Sequence, residues 1–390
     1  MSLPSWFIPL VNVKELSREF VNLLVDLDAR FSPDAERTAI ATLHEHGYVV
    51  ADATKLDERH LSWIDLAFDG TWSSEAANAS AVLLASGLEP GPVGFAAYGA
   101  SGLHFYWLRA WVNREDVGIL GPVGVVREHR RPKVQEALIV LTLGRMREAG
   151  FRHALIPAVT EPVYDLFVAA TGGKVVERFS MERPVPSLRT TVMASGGGTN
   201  FQAVIDALDD GLGLDVRALV VNRSDAYAIE RAKRAGIPVY QHVWNRKATS
   251  RERYDEELID LVERTEPELI LMLGWMHVVA SEFFTRLPQT INIHPAFLPH
   301  DVRAESLTMP DGTVIPAFRG AHAIRDALRA GSPWYGATAH RVTADVDRGA
   351  VLQRAPLPLT EKEEDAALAA LRPTEHGVLI GALRRILAER

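Results

Sequence analysis

Short apolar runs and amphipathic stretches alternate along the second half of the chain. The runs at residues 188–195, 215–222, 268–274 and 290–294 have the pattern of buried strands. Stretches between them, such as residues 251–265, repeat apolar positions at helical spacing. Strands that alternate with helices predict an α/β fold with a mainly parallel sheet and right-handed crossovers.

The same half ends in a different pattern. Two more strands are predicted at residues 335–343 and 349–357. Residues 364–390 are predicted to be helical with one interruption at Pro373, because proline removes a backbone donor from a helix.

The first half is less regular. Three neighbouring antiparallel strands are predicted at residues 91–100, 105–113 and 117–126, and an amphipathic helix at residues 134–150. A strand at residues 153–160 and a second helix follow. Together they indicate an α+β arrangement.

A joint separates these halves at Ser180–Thr190, where two prolines and mixed charges interrupt both patterns. A chain of 390 residues is also long for one hydrophobic core. We therefore expect two domains, residues 1–183 and 188–390.

The net charge and the composition of the chain argue against several classes of function. The chain carries a net charge of −8, which argues against a general nucleic-acid binder. It has no cysteine, so disulfides, thiolate metal sites and cysteine nucleophiles are excluded. We predict no signal peptide and no membrane-spanning stretch, and therefore a cytoplasmic protein.

The strand at residues 290–294 ends in an unusual way. Asn292 and His294 are two positions apart, so they lie on one face of the strand, and Pro295 stops it. An amide and an imidazole would then stand together at the carboxyl end, where open α/β sheets bind ligands. The alternative is a histidine that only caps the strand end.

Three other motifs have both a structural and a functional interpretation. Ser195–Asn200 (SGGGTN) is either a plain tight turn or a loop whose backbone N–H groups bind an anion at a helix N-terminus. Asp347 is either a turn residue or a catalytic carboxylate. Glu375 is either a charge on a helix surface or part of a site.

Taken in order, these motifs resemble the phosphoribosylglycinamide formyltransferase family from about Thr191 to the C-terminus. The resemblance includes SGGGTNFQA, LMLGWMHVVASEF, NIHPAFLP and the spacing from Thr343 to Asp347 and Gly349. It implies a Rossmann-like domain that transfers formyl groups from 10-formyltetrahydrofolate to an amine.

Formyl transfer passes through a tetrahedral oxyanion. Asn292 and a protonated His294 would donate hydrogen bonds to this charge. Asp347 would take the proton of the amine through water and favour the imidazolium form of His294. Neither a covalent nucleophile nor a metal is required.

The resemblance also implies two binding regions. Gly198, Thr199, Asn200 and Glu375 would hold a small, anionic or phosphorylated amine acceptor. The pterin of the donor would lie against Met276, His277, Val278 and Val279. Neither nucleic acid nor a membrane is an implied partner, and a homodimer is left open.

The chain departs from the pattern of the family in three ways. His277 stands where an arginine is common, and Arg319 stands where a proline is usual. An insertion covers about residues 300–318 and includes a Pro-Asp-Gly turn. Because these departures lie beside the active-site motifs, the resemblance does not identify the acceptor.

Residues from about Gly91 to Ser180 resemble the GNAT acyltransferase superfamily, through GPVGVVREHRRPKVQEALIVLTLGRMREAGFRHALI. The resemblance implies an acyl-CoA turn at Arg130, Arg131 and Lys133. The two glycines that normally let backbone N–H groups reach the pyrophosphate are replaced by Lys133 and Gln135. Two alternatives to formyl transfer alone follow: a bifunctional enzyme that also uses acetyl-CoA or another acyl-CoA, and a non-catalytic folate- or nucleotide-binding protein.

Overall fold

A computed structural model describes residues 19–30, 33–68, 70–87, 91–100, 102–111, 114–160, 163–180 and 187–390. The predicted joint lies largely outside this part, because residues 181–186 are not among the described ones. The chain divides into two compact units. The first takes the described residues up to 183 together with 308–314 and 388–390, and the second takes 184–307 and 315–387.

The first unit contains a seven-stranded sheet in the order β2-β3-β4-β5-β6-β1-β7. Strands β5 and β6 pair in parallel and are connected through the long helix α5, while the other neighbouring strands pair antiparallel. The elements are β1 (Glu19–Asp26), α1 (Leu27–Arg30), α2 (Pro33–Glu45), β2 (Tyr48–Ala53), α3 (Glu58–Ala67), α4 (Gly70–Ala76), β3 (Ser80–Ser86), β4 (Pro92–Tyr98), β5 (Val117–Val125), α5 (Pro132–Glu148), β6 (His153–Val159), α6 (Tyr164–Thr171) and β7 (Lys174–Ser180).

The predicted strand at residues 105–113 is wrong. Tyr106–Leu108 is a single turn of 3-10 helix, and residues 112 and 113 lie outside the described part. Phe105, Trp107 and Leu108 all pack into one apolar cluster, and the rings of Phe105 and Trp107 stack 4.7 Å apart. A strand would send Trp107 and Leu108 to opposite faces, whereas the tight turn buries both.

The second unit contains a seven-stranded sheet in the order β10-β9-β8-β11-β12-β15-β16. Strands β8 to β12 pair in parallel and the last two pair antiparallel, so the predicted mainly parallel sheet is confirmed. The elements from residue 188 onward are β8 (Leu188–Ala194), α7 (Thr199–Asp209), β9 (Leu214–Val221), α8 (Ala228–Arg234), β10 (Val239–Gln241), α9 (Arg251–Glu263), β11 (Leu269–Met272), α10 (Ser281–Arg286), β12 (Thr290–His294), β13 (Ser306–Thr308), β14 (Val314–Pro316), α11 (Ala323–Arg329), β15 (Trp334–Arg341), β16 (Val351–Pro358) and α12 (Glu364–Ala388).

The order of the strands reverses at β8. From this strand the chain moves outward through β9 and β10, and then returns to β11 on the other side. The carboxyl ends of β8 and β11 therefore flank a topological switch point, where open α/β sheets bind ligands. The inserted segment forms a separate small hairpin of β13 and β14.

The predicted interruption at Pro373 is also wrong, because α12 runs through this proline without a break. Proline removes one hydrogen bond from a helix interior, at a cost of about 3 kcal/mol or more. Leu371 before it and Val378, Leu379 and Leu383 after it are buried in the same apolar core. Packing on both sides of the proline therefore offsets the lost hydrogen bond.

Among the helices of the described residues, none is long and apolar enough to cross a bilayer.

Candidate active site

Strand β12 presents Asn292 to a partner on the neighbouring strand. In the antiparallel register Asn292 lies opposite His340, and His294 lies opposite Thr338. The Asn292 amide Nδ2 lies 3.2 Å from His340 Nε2. His340 Nδ1 lies 2.8 Å from the Arg341 carbonyl oxygen, which can only accept. Nδ1 therefore carries a proton and donates to this carbonyl.

His294 is 4% exposed and contacts an acceptor at each ring nitrogen. Its Nε2 lies 2.8 Å from the Phe318 carbonyl oxygen, so this nitrogen carries a proton and donates. Its Nδ1 lies 3.5 Å from Asp347 Oδ2. The expected pairing of His294 with Asp347 is thus present in the structure, although it is buried.

Asp347 joins the two histidines. Its Oδ1 lies 3.5 Å from His340 Nε2, and its Oδ2 accepts from the Gly320 N–H at 2.7 Å. The Asp347 side chain is 10% exposed, and its backbone has a φ of +52°, a region that non-glycine residues rarely adopt. Asn292, His340, Asp347 and His294 therefore form one continuous chain of polar contacts.

Burial affects the charges of this cluster in two ways. Burial alone would raise the pKa of Asp347, but the hydrogen bond with His340, the nearby His294 and the Gly320 N–H hold that pKa well below its usual range. Burial lowers the pKa of His294, against the opposing effects of Asp347 and the Phe318 carbonyl. Desolvation therefore opposes the protonated form of His294 that the sequence predicts, and the Asp347 carboxylate beside Nδ1 supports it.

The glycine-rich turn lies between β8 and α7. Gly198 has a φ of +68°, and a Cβ added there would lie 2.8 Å from the Cβ of Ala228. Only glycine meets both conditions. Thr199 is the first residue of α7, so the backbone N–H groups at this helix N-terminus are placed to bind an anion.

Glu375, from the last helix, meets this turn. It is 7% exposed and shares a hydrogen bond with the Asn200 side chain. Burial raises the pKa of Glu375 to about 7, against the opposing effects of Asn200 and Arg372. The Asn200 Oδ1 atom is buried and has no hydrogen-bond partner within the described part of the chain. Asn200 and Glu375, which are distant in sequence, thus lie together, and we call this pair the polar corner.

A cavity of about 400 Å³ opens at the carboxyl ends of β8, β9 and β11. Two of the predicted donor-binding residues, Met276 and His277, line it, and two others, Val278 and Val279, do not. Met276 is 59% exposed and Val278 is 67% exposed. The remaining lining residues are Ser195, Gly196, Asn222, Arg223 and Gly274.

His277 lies in an aromatic and cationic environment that the sequence did not predict. The Tyr254 hydroxyl lies 3.3 Å from His277 Nδ1, and the Trp244 ring is in edge contact with the imidazole. Burial and the charges of Arg251 and Arg246 lower the pKa of His277. A neutral ring is therefore favoured at this edge of the cavity.

The predicted acyl-CoA turn lies at the start of α5. Arg130 Nε donates to the Val125 carbonyl oxygen at 2.8 Å, and Arg131 is the N-cap residue of the helix without a side-chain cap. Pro132 is the first helical residue, and Lys133 is exposed.

Sequence reasoning missed His340, and it noted Arg319 only as a departure from the family pattern, without a role for the segment Phe318–Gly320. His340 has one local signal, since it lies in a predicted strand three positions before Thr343 and seven before Asp347. Nothing local distinguishes it from a core histidine. In the part of the chain that the structure describes, no group of three or more histidine or acidic side chains is arranged to hold a metal ion.

The second half of the chain is similar to known formyl transferases. A sequence model of the family described as Formyl transferase matches residues 188–301 and 311–383. Phosphoribosylglycinamide formyltransferase from Escherichia coli (strain K12) is 31% identical over 194 residues, which cover 49% of this chain and 83% of that protein. The protein of the same name from Schizosaccharomyces pombe (strain 972 / ATCC 24843) is 32% identical over 217 residues, covering 51% and 96%.

Among solved structures, glycinamide ribonucleotide transformylase 1 from Symbiobacterium toebii is 32% identical, with a TM-score of 0.45. The similarity covers 52% of this chain and 88% of that chain. Residues 302–310, within the predicted insertion, lie between the two segments that the family model matches.

Proposed function

The chain belongs to the formyl transferase family, and on this premise we propose that it transfers a formyl group from 10-formyltetrahydrofolate to the primary amine of a small phosphorylated acceptor. The observation that carries the proposal is the buried contact chain from Asn292 through His340 and Asp347 to His294. We also propose a cytoplasmic location.

The contact chain supplies donors for an oxyanion. One N–H of the Asn292 amide faces His340, and the other remains for the formyl oxygen, on which negative charge develops when the amine attacks. The N–H at His294 Nε2 faces the Phe318 carbonyl and would transfer this hydrogen bond to the formyl oxygen. Collapse of the intermediate breaks the bond from the formyl carbon to the folate nitrogen, which then receives a proton.

Asp347 acts through its charge. Its low pKa makes it a weak base, so we propose that it orients the water that carries the proton of the amine. The same carboxylate stabilises the positive charge that the attacking nitrogen acquires. This assignment modifies the expectation that Asp347 itself takes the proton.

The polar corner of the glycine-rich turn supports an anionic acceptor. The N-terminus of α7 offers backbone N–H groups to a phosphate, and Glu375 with Asn200 offers acceptors to hydroxyl groups beside it. We propose that Met276 and His277 contact the folate donor, because they line the adjacent cavity, and that Val278 and Val279 act through their backbone. Glycinamide ribonucleotide is the first acceptor to test, since the relatives bear its name.

The test is incubation of the full-length protein with 10-formyltetrahydrofolate, labelled in the formyl group, and a panel of amines. The panel pairs each phosphorylated amine with its dephosphorylated form. We expect label to appear on a phosphorylated amine, with kcat/KM lower for its dephosphorylated partner. Folate binding without label transfer to any amine would favour the non-catalytic alternative, and transfer that is indifferent to the phosphate would contradict the acceptor class.

A further inference from the structure

Three consecutive residues at the end of the inserted segment contact the proposed catalytic pair. The Phe318 carbonyl accepts from His294 Nε2 at 2.8 Å, and the Gly320 N–H donates to Asp347 Oδ2 at 2.7 Å. Between them, Arg319 Nε donates to the main-chain carbonyl of Asp347 at 3.2 Å. One short segment therefore holds a ring nitrogen of the histidine and both the side chain and the backbone of the aspartate.

The other nitrogens of Arg319 face the beginning of the inserted segment. Its guanidinium donates to the carbonyl oxygens of Ala304 at 3.0 Å and Val302 at 3.4 Å, and it lies 3.4 Å from a Glu305 carboxylate oxygen. Arg348, the residue after Asp347, also contacts Val302 and Glu305, at 3.0 and 2.5 Å. The Arg319 side chain is only 11% exposed, so these contacts are largely shielded from water.

Asp347 needs such support. A non-glycine residue with a positive φ carries an unfavourable backbone energy, on the order of 1 kcal/mol or more, that the surrounding structure must offset. The hydrogen bond from Arg319 to its carbonyl and that from Gly320 to its side chain act on the same residue. Without them the loop that carries Asp347 can relax, and the carboxylate would move away from His294 and His340.

We infer that Arg319 is a positioning residue, which ties residues 302–305 to the backbone of Asp347 and so holds that carboxylate between the two histidines. The inference rests on the proposed function. Residues 302–305 fall in the stretch that the family model does not match, so these contacts use a segment outside the matched part of the chain. The insertion is then a part of the active site and not a surface elaboration.

A merely structural arginine would also destabilise the protein when removed, so the test needs further readouts. The charged and titratable groups that face His294 are Asp347, His340 and Arg319, together with the Phe318 carbonyl. The Asp347 carboxylate raises the pKa of His294 more than the Arg319 charge lowers it, so displacement of that carboxylate on removal of Arg319 should lower the pKa of His294. The pKa of His294 can be followed by NMR titration of its ring protons, without any assay of activity.

The experiment compares Arg319→Ala, Arg319→Lys and the control Arg325→Ala in the full-length protein. Arg325 is an arginine of the same unit that pairs with Glu364 and not with Asp347. We expect Arg319→Ala to lower kcat by about 10- to 100-fold, the range for misplacing a catalytic group by about 1 Å, with KM for the donor changed less than about threefold. The pKa of His294 should fall in this variant.

Substitution by lysine separates the effect of the Arg319 charge from the effect of its hydrogen bonds. Lysine keeps the charge but cannot bridge carbonyl groups on both sides, so Arg319→Lys should lower kcat by about tenfold and also lower the pKa of His294, whereas a role of the charge alone would leave that pKa unchanged. The control should stay within about twofold of the parent in kcat. A melting temperature within a few degrees of the parent should accompany each variant.

Two results would overturn the inference: wild-type kcat in Arg319→Ala, or a pKa of His294 that does not fall in that variant. If Arg319→Ala does not fold, Arg319→Lys decides, since full activity there would also contradict positioning. Absence of formyl transfer by the parent protein with every amine would refute the proposed function instead. The NMR titration would then still report whether Arg319 acts on His294.

Discussion

At the scale of single residues, the site is a small buried network in which two histidines share one carboxylate. His294 and His340 each donate a ring N–H to a backbone carbonyl, and each turns the other ring nitrogen toward Asp347. Buried polar groups are stable only when they are paired, so each member fixes the orientation of the others. Removal of one member should impair catalysis more than it impairs folding.

Replacement of His294 by Ala, or of Asp347 by Asn, should each lower kcat/KM for formyl transfer by about 10²-fold or more, the scale for loss of an oxyanion donor or a charged catalytic group. Asp345→Asn is the matched control, because Asp345 is exposed in the same loop. Circular dichroism should show that the variants are folded. Near-full turnover in a folded variant would remove that residue from the mechanism.

Glu375 should make stability depend on pH. Its pKa is about 7 in the folded protein and 4.5 in the unfolded chain, so its contribution is fully present below pH 4.5 and is lost as pH rises through 7. The shift corresponds to roughly 3 kcal/mol. Glu375→Gln stays neutral and should therefore be more stable than the parent at pH 8, with little difference at pH 4.

Urea unfolding at the two pH values measures this difference. Glu363→Gln serves as the control, because Glu363 is an exposed carboxylate that precedes the same helix. An equal effect of both substitutions, or a destabilised Glu375→Gln at pH 8, would show that burial does not control the ionisation of Glu375.

At the scale of secondary-structure elements, the turn between β8 and α7 shows how the backbone builds a binding site. Gly198 is the N-cap residue of α7 in the left-handed region, and Ala228 at the start of α8 packs against it. The Ala228 N–H donates to the Gly196 carbonyl oxygen at 3.1 Å. The turn is therefore held by the helix that follows β9, and the first N–H groups of α7 remain available for an anion.

Gly198→Ala should destabilise the protein by about 2–4 kcal/mol, the sum of a left-handed backbone and an overpacked contact. Because the turn must shift to relieve the contact, KM for a phosphorylated acceptor should rise as well. The control is Gly197→Ala, since a Cβ at Gly197 meets no atom within 4 Å. If both substitutions lower the free energy of unfolding equally, the contact with Ala228 is not responsible.

At the scale of the whole molecule, each unit has its own apolar core. In the described residues, the clusters around β1 to β7 and those around β8 to β16 have separate members. We propose residues 1–183 and 188–390 as the two domains. Expression of residues 184–390 alone tests the boundary: cooperative urea unfolding supports it, and a molten or insoluble fragment contradicts it.

The first unit has an α+β fold, and we propose that it binds acyl-CoA weakly or not at all. Arg130 already donates to the Val125 carbonyl, and Pro132 offers no N–H at the start of α5. Two missing hydrogen bonds to a charged group, at roughly 1.5–3 kcal/mol each, weaken affinity by a factor on the order of 10² or more. We therefore expect acetyl-CoA to bind the full-length protein in the high micromolar range or weaker.

Calorimetric titration of the full-length protein with acetyl-CoA measures this affinity. Arg127→Ala, which removes an exposed arginine nearby, is the control for Arg130→Ala. Low-micromolar binding of acetyl-CoA that disappears only in Arg130→Ala would contradict the expectation and support the bifunctional alternative.

The sequence by itself determined those features that depend on near neighbours along the chain. Strand and helix periods are set by residues two to four positions apart, and they predicted β8, β9, β11, β12 and α5. Asn292 and His294 share a face of β12, and the SGGGTN turn precedes a helix, for the same local reason.

Only the tertiary structure decided what depends on distant residues and on the exclusion of water. His340 became the partner of Asn292 through a strand register between positions 48 apart, and Arg319 joined Asp347 through the folded insertion. The tight turn at Tyr106–Leu108 and the continuous helix through Pro373 followed from shared burial, which overrode local preference. The lowered pKa of His294 has the same origin, because desolvation depends on the whole surrounding fold and not on the sequence nearby.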